Sequence, residues 1–359
     1  ANHCELFTKK IEKKKPSYYI IIYLKDLSSM FYNLIFILVL ALLCVANCDR
    51  VRLPDTTCLD SKVSLPGVED TTCLDSKVSL SGVEDTRCLE PRSGRVAKSS
   101  LLVVDPQNDF YFYSLKVPGA DHDLGRSIKF VKLIDPSISN IFVTLDTHSE
   151  DHLAHDASLL TYPDGSDLPV FTTVTADDIE SGKVLVRTGM EKIFLKYLKD
   201  LEQGGKYQYT KWPPHCVKGT NGHLVPIELR NEFDTWSSKT GKEVQYIEKG
   251  SNDMTEMYSA LSAEVPQEND SSTQLNTDLI NSLNENDYVI VFGQAKSHCV
   301  KATVEDYLDH IGPNTKIILL KDLTSSVPGF DHLGTELEET LIRNGHIVST
   351  SDEVSLLLH

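Results

Sequence analysis

The run Gly293-Gln-Ala-Lys-Ser-His-Cys299 follows an apolar stretch and precedes a helical stripe. That order sets the Cys299 thiol near a helix N-terminus, where backbone N–H groups and the helix dipole favour thiolate over thiol. The same N–H groups can receive an oxyanion, so one turn would supply both nucleophile and stabiliser. A lone thiol is more often a buried structural residue; what separates Cys299 from that default is its company. Asp105 closes Val103-Val104-Asp105-Pro-Gln-Asn-Asp109-Phe110, and a carboxylate ending a buried strand can act as general base toward a thiol. Lys249, in Tyr246-Ile-Glu-Lys249-Gly, ends another apolar run. There it could pair with Asp105 and offset the charge of a developing intermediate.

A second set has the chemistry of metal ligands. Asp146-Thr-His148 spaces an oxygen and a nitrogen donor at i and i+2, which share one face of a strand. Trp212-Pro-Pro-His215 offers a third donor on a chain stiffened by Pro213 and Pro214. Three such ligands leave positions open for water or substrate. Mixed oxygen and nitrogen donors suit one divalent ion, Zn first and Mn or Fe as alternatives, and argue against a thiolate site. His152 is a candidate fourth ligand, with Glu150 and His155 weaker ones. Cys216 beside His215 reads as a packed free thiol, and His298 needs no special role.

These residues need a scaffold that brings them together. After Lys98 come short β-branched runs bounded by Asp, Gly or Asn: Ser100–Asp105, Asn140–Asp146, Val244–Lys249, Tyr288–Gly293, Thr315–Asp322 and His346–Thr350. Several are apolar throughout, as strands buried on both faces of a parallel sheet should be. Helical spacing marks Leu124–Ile134, Glu191–Glu202, Leu275–Leu283 and Leu333–Arg343, and a stripe of Val300, Val304, Tyr307 and Leu308 follows Cys299. The alternation predicts a three-layer α/β/α domain around a mostly parallel sheet of about six strands. Ligands bind such sheets at the carboxyl ends of the strands, and Asp105, Asp146, Lys249 and the turn to Cys299 all fall at those ends.

The formal net charge is -17 over 359 residues, and residues 1–29 contribute +3, so the remainder carries about -20. That balance excludes nucleic acid and anionic membrane as expected partners. Six of the eight cysteines precede position 90, so the globular part, with Cys216 and Cys299 alone, is no disulfide scaffold. Residues 1–29 read as an upstream extension of the translated frame, preceding the first methionine, Met30. Leu34–Ala46 is an uncharged apolar run, too short to span a bilayer comfortably and suited to a signal peptide over 30–48. No membrane span is expected after processing, and the chain is expected to be secreted or at the cell surface, or cytoplasmic if the segment is not a working signal. Within 49–98, Asp55–Glu69 recurs at Asp70–Glu84 with Pro66 replaced by Ser81, and a third copy breaks off at Pro91. So few apolar side chains cannot bury a core, which predicts a flexible acidic linker. Its Cys58, Cys73 and Cys88 leave an intermolecular disulfide open in an oxidising compartment, and a homo-oligomer is compatible with the sequence. If the chain is exported, Asn269-Asp-Ser271 is a glycosylation acceptor.

From Ser99 to His359 the motifs resemble the isochorismatase-like cysteine hydrolases, and among them the nicotinamidases. The matching stretches are Val-Val-Asp-Pro-Gln-Asn-Asp-Phe, Asp-Thr-His, Trp-Pro-Pro-His-Cys and Gly-x-Ala-x-x-His-Cys, in that order. The pair of Asp-x-His and Trp-Pro-x-His-Cys is the more specific part. The resemblance implies the isochorismatase-like fold and hydrolysis of nicotinamide to nicotinate and ammonia, a step of NAD salvage, through a thioester on Cys299. It implies Asp105 as proton carrier, Lys249 as third member of the triad, and a cis bond before Ala295 that turns the Ala295 and Cys299 N–H groups into an oxyanion hole. Phe110 and Trp212 match positions that sandwich the pyridine ring, Tyr258 is a looser match to a pocket aromatic, and the ring nitrogen would meet a metal on Asp146, His148 and His215. The stretch between His148 and His215 is longer than usual, and Ser297 stands where many relatives have Asp. Two other readings remain: a cysteine amidase for another small heteroaromatic amide, or a secreted binding protein without catalysis. Intact Asp105, Lys249 and Cys299 count against the latter.

Overall fold

The computed structural model describes residues 97–134 and 138–358. The expected upstream extension, the signal segment and the repeats with Cys58, Cys73 and Cys88 lie outside the described residues. No helix among the described residues is long and apolar enough to cross a membrane.

Among the described residues ten strands occur in chain order: β1 (Ser99–Val104), β2 (Ile138–Asp146), β3 (Leu160–Thr161), β4 (Thr172–Val174), β5 (Leu185–Val186), β6 (Tyr209–Lys211), β7 (Gln245–Lys249), β8 (Tyr288–Gly293), β9 (Lys316–Leu320) and β10 (Ile347–Ser349). The helices are α1 (Asn108–Tyr111), α2 (Ala120–Ile134), α3 (Ala176–Glu180), α4 (Glu191–Gly204), α5 (Ile227–Thr240), α6 (Thr277–Asn284), α7 (Lys301–Leu308), α8 (Asp331–Arg343) and α9 (Ser351–Leu358). Six strands form one sheet in the order β10-β9-β8-β1-β2-β7, and every pairing in it is parallel. The expected α/β/α architecture holds. α2 packs on α5 and α9, while α7 packs on α8, so two groups of helices flank the sheet.

Burial explains why these runs are strands. Every residue of β1 is buried, and Leu101, Leu102, Val103 and Val104 each contribute on the order of 1.5–3 kcal/mol by leaving water. Parallel register then lines up the strand ends: Val104 lies opposite Gly293, and Asp146 opposite Lys249. Gly293 has φ 130°, and a Cβ there would sit 1.9 Å from the Val104 carbonyl oxygen. Only glycine lets β8 leave the sheet so close to β1.

Two features were not expected. α5 carries a thin stripe of Leu229, Phe233 and Trp236 on an otherwise polar sequence. Between His148 and His215, an insert closes two antiparallel ribbons, β3 with β5 and β4 with β6, over a hydrophobic core of its own. Phe194, Tyr197, Leu198 and Leu201, at helical spacing on α4, are the buried face that packs there.

Candidate active site and metal cluster

At the carboxyl end of β1 the chain turns sharply. Asp105 has φ 43°, a left-handed conformation unusual outside glycine that Asp tolerates better than most. Thr144 on β2 fixes it reciprocally: the Asp105 N–H donates to Thr144 Oγ1 (3.0 Å), and that hydroxyl donates to Asp105 Oδ1 (2.5 Å). Lys249, at the end of β7, is wholly enclosed and reaches three acceptors. Its Nζ lies 3.0 Å from Asp105 Oδ2, 3.0 Å from Asp146 Oδ1 and 2.9 Å from the Met257 carbonyl oxygen. The same Nζ is 3.7 Å from Cys299 Sγ. Four sequence-derived residues from four strand ends, Asp105, Asp146, Lys249 and Cys299, therefore meet in one buried cluster.

Its charges are interdependent. Burial opposes the Lys249 charge, but Asp105 and Asp146 outweigh it and hold the ammonium well above its ordinary range. Burial raises Asp105 above the usual carboxylate range, with Lys249 opposing. Although Asp105 Oδ2 lies within ion-pair distance of Lys249, it accepts no aligned hydrogen bond from it, so a lone pair remains available beside the thiol. Burial also pushes the Cys299 thiol well up, against the pull of Lys249. This corrects the expectation of a ready thiolate. Cys299 lies in a π-helical turn, Lys296–Val300, leading into α7, and burial is the largest influence on its thiol. A thiol so held needs a base to remove its proton.

The turn itself is tied down at both ends. The peptide between Gln294 and Ala295 is cis, and the Lys296 N–H donates to the Ser325 carbonyl (2.8 Å). Ser297 Oγ accepts the Val327 N–H (3.0 Å) and bonds His298 Nδ1 (2.9 Å). Ser297 thus stabilises the loop through its hydroxyl. His298, buried to the point that its pKa falls to about 3, packs among Tyr207, Trp212, Tyr258 and Phe330.

Histidines converge on the other flank of Lys249. His148 follows β2, and the segment after His215 runs beside it, with the His148 N–H donating to the Cys216 carbonyl (3.1 Å) and the Lys218 N–H to the His148 carbonyl (2.9 Å). Asp109 Oδ2 accepts the Cys216 N–H (2.7 Å), fixing that loop. The rings of His148, His155 and His215 offer nitrogens within 4.8 Å of one another. Each of these rings can spend one nitrogen on a backbone carbonyl: His148 Nδ1 on His215 O, His215 Nδ1 on Pro213 O, and His155 Nε2 on Ser149 O. Carbonyls only accept, so those nitrogens carry the protons and the opposite ones keep their lone pairs. His148 Nε2 and His155 Nδ1 are buried without a hydrogen-bond partner.

Asp146 stands 3.3 Å from His148 Nε2 and 3.4 Å from His215 Nε2. Asp146 is held well below the carboxylate range and stays ionised, with the Lys249 ammonium 3.0 Å from its Oδ1. Gly250 adds a cradle: a Cβ there would lie 2.8 Å from Asp146 Oδ1 and 3.1 Å from His148 Nε2. The donor set fits a divalent cation.

His152, expected as a fourth ligand, is not brought in. Its Nδ1 accepts the Ala154 N–H (3.2 Å), its Nε2 faces the Thr255 carbonyl (3.2 Å), and its ring stacks 4.1 Å from that of His148. His155 takes the place, because the turn that starts at His152 swings it back toward His148. Glu150 is absent from the cluster, and so is Asp146, the predicted oxygen ligand, which stands beside His148 and His215 instead. Sequence reasoning also missed Glu256, a buried carboxyl raised to about 7 by burial first and Asp146 second. It lies in a polar loop with no motif to mark it.

Between thiol and histidines is a narrow cavity of about 20 Å³ lined by Phe110, Trp212, Tyr258, His215, Ala295 and Cys299, among others. The three aromatics expected around a ring are thus all on its walls, with Trp212 Nε1 donating to the Tyr258 hydroxyl (2.9 Å). A wider cavity of about 300 Å³ beside Lys206, Tyr207 and Glu264 contains no thiol.

No family model matches the sequence, and no curated protein matches it. Solved structures do. A yeast nicotinamidase bound to the inhibitor nicotinaldehyde is 21% identical, covers 70% of this chain and 99% of its own, with a TM-score of 0.50. A nicotinamidase/pyrazinamidase from Acinetobacter baumanii is 21% identical over 72% and 98%, TM-score 0.48. An isochorismatase-like hydrolase from Alkaliphilus metalliredigens is 17% identical over 73% and 100%, TM-score 0.42. At these identities the likeness is one of architecture, and the chain carries the isochorismatase-like hydrolase fold.

Proposed function

We propose that this protein is a cysteine amidase that hydrolyses nicotinamide to nicotinate and ammonia. The observation that carries the reading is the convergence of Asp105, Lys249 and Cys299 at 3.0 and 3.7 Å beside a cluster of three histidine rings. A buried thiol with a raised pKa, a carboxylate with an unused lone pair and an ammonium that stays charged suit nucleophilic attack on a neutral carbonyl.

Asp105 accepts the thiol proton as Sγ attacks the carboxamide carbon. The oxyanion is received by the Ala295 and Cys299 N–H groups, with Lys249 holding positive charge beside the cluster. Asp105 then returns the proton to the departing amine, releasing ammonia and leaving an acyl thioester. Water attacks that thioester, its proton passes through Asp105 to the thiol, and nicotinate leaves.

Phe110, Trp212 and Tyr258 would clamp a flat ring, and the narrow cavity implies that these walls part to admit one. His148, His155 and His215, with Asp146, would hold a divalent ion, zinc first and manganese or iron as alternatives. When bound there, the ion supplies a Lewis-acidic anchor for a ring nitrogen. The yeast nicotinamidase of this fold, bound to nicotinaldehyde, supports a pyridine-sized ligand. The test is release of ammonia and nicotinate from nicotinamide by the purified chain, metal-loaded and after chelation. Equimolar products from the loaded protein support the reading, and none from it would sink the reading.

A further inference from the structure

α2 contributes nothing to the triad or the histidine cluster, yet it sends a buried carboxylate toward the nucleophile turn. Asp123 is 2% exposed, and its oxygens are fully engaged. Oδ2 accepts from Gln294 Nε2 (3.0 Å) and from Ser325 Oγ (2.6 Å), while Oδ1 accepts from Arg126 Nη2 (2.6 Å). Arg126 is itself fixed by donating through Nε to the Asp322 carbonyl (2.6 Å).

Gln294, fully buried, and Ser325, half-buried, bracket the turn that carries Ala295 and Cys299. Gln294 is the residue immediately before Ala295; its N–H donates to the Val104 carbonyl at the end of β1 (2.9 Å). Ser325, from the loop after β9, accepts the Lys296 N–H, the residue immediately after Ala295. Its own N–H reaches Gln294 Oε1 (3.4 Å), closing a ring of polar contacts around Ala295. A buried amide and carboxylate are costly to desolvate and persist where all their bonds are made. Here those bonds hold the residues on either side of Ala295.

We propose that Asp123 is a positioning residue: acting through Gln294 and Ser325, it aims the Ala295 N–H at the oxyanion that forms when Cys299 attacks. The proposal rests on the amidase reading. An oxyanion donor matters in the transition state and little in the ground state, so misaiming it lowers kcat and leaves KM nearly unchanged.

The experiment compares the metal-loaded wild-type chain with Asp123→Asn, Gln294→Met and the double variant Asp123→Asn/Gln294→Glu. Kinetics on nicotinamide are read beside inhibition by pyridine-3-carbaldehyde, whose carbonyl carbon bonds Cys299 Sγ while the thiol proton moves to its oxygen. In Asp123→Asn the introduced amide nitrogen meets donors on whichever side it faces, Gln294 with Ser325 or Arg126, so one of the two sets loses its acceptor. The expected loss in kcat is on the order of 10- to 100-fold, with KM within about threefold and aldehyde affinity falling in parallel with kcat. The double variant restores a donor–acceptor pair of reversed polarity and is expected to recover most of kcat. Gln294→Met, which leaves Asp123 with Ser325 and Arg126, is expected to lose less and carries the test if Asp123→Asn does not fold. Wild-type turnover with kcat unchanged in both single variants overturns this proposal alone, as does a loss confined to KM or one that the double variant fails to relieve. No turnover of the amide by the wild-type chain overturns the amidase reading and this proposal together.

Discussion

The end of the central sheet and the insert between His148 and His215 deliver donors to one site by different physical means. At the sheet, parallel register alone sets Asp146 beside Lys249 and Val104 beside Gly293, and side chains at those ends have little freedom to be elsewhere. In the insert, His155 arrives through a turn, a few backbone hydrogen bonds and a second core built on α4. The first region is a consequence of hydrophobic runs. The second depends on local turn chemistry, so substitutions in it should affect metal affinity more than the nucleophile.

The largest expected effect lies at the sheet. Cys299→Ala should lower turnover of nicotinamide by roughly 10⁴-fold or more with metal content unchanged, measured by ammonia release and metal analysis. Lys249→Met comes next, because it leaves Asp105 and Asp146 facing each other without a cation. We expect about 3–5 kcal/mol of lost stability in denaturant titrations and a loss of roughly 10²-fold or more in kcat/KM. Unchanged stability would break the view that the sheet end is held by this ammonium.

The insert is probed by His155→Ala against His152→Ala. Removing His155 should weaken zinc or manganese binding by about 100-fold or more. Removing His152, which touches only backbone and the His148 ring, should cost about tenfold or less, both read by competition with a chelator. The reverse order would restore His152 as the ligand.

The smallest effect is on pH dependence. Asp105 accepts a proton only when ionised, so kcat/KM should fall as pH drops through its folded pKa. Burial raises that pKa, so the acid limb should lie above that of an ordinary aspartate, near 3.8. Thr144 donates to Asp105 and lowers its pKa; Thr144→Val should therefore move the limb to higher pH. A downward move would contradict the role given to Asp105.

The same contrast explains what could be read in advance. Asp105 and Cys299 were legible because each follows an apolar run, and a parallel sheet gathers whatever follows such runs; Lys249 instead ends β7, an edge strand that is largely exposed until Lys249 itself. Strand limits fell within a few residues for the same reason. The sequence favours His152 over His155 as the fourth ligand; both follow His148 within seven residues, and only the fold decides which nitrogen is left free. α5 escaped notice because Leu229, Phe233 and Trp236 are its only deeply buried residues. The upward push on the Cys299 thiol was not legible because depth of burial is a property of packing and not of the motif.

Central to this account is a covalent step at Cys299. Acid-quenched peptide mass spectrometry during turnover of nicotinamide by the metal-loaded chain tests it most directly. The expected result is a nicotinoyl thioester on the Cys299 peptide in the wild-type protein and no turnover in Cys299→Ala. Sustained ammonia release with Cys299 unmodified, together with full activity in Cys299→Ala, would contradict it.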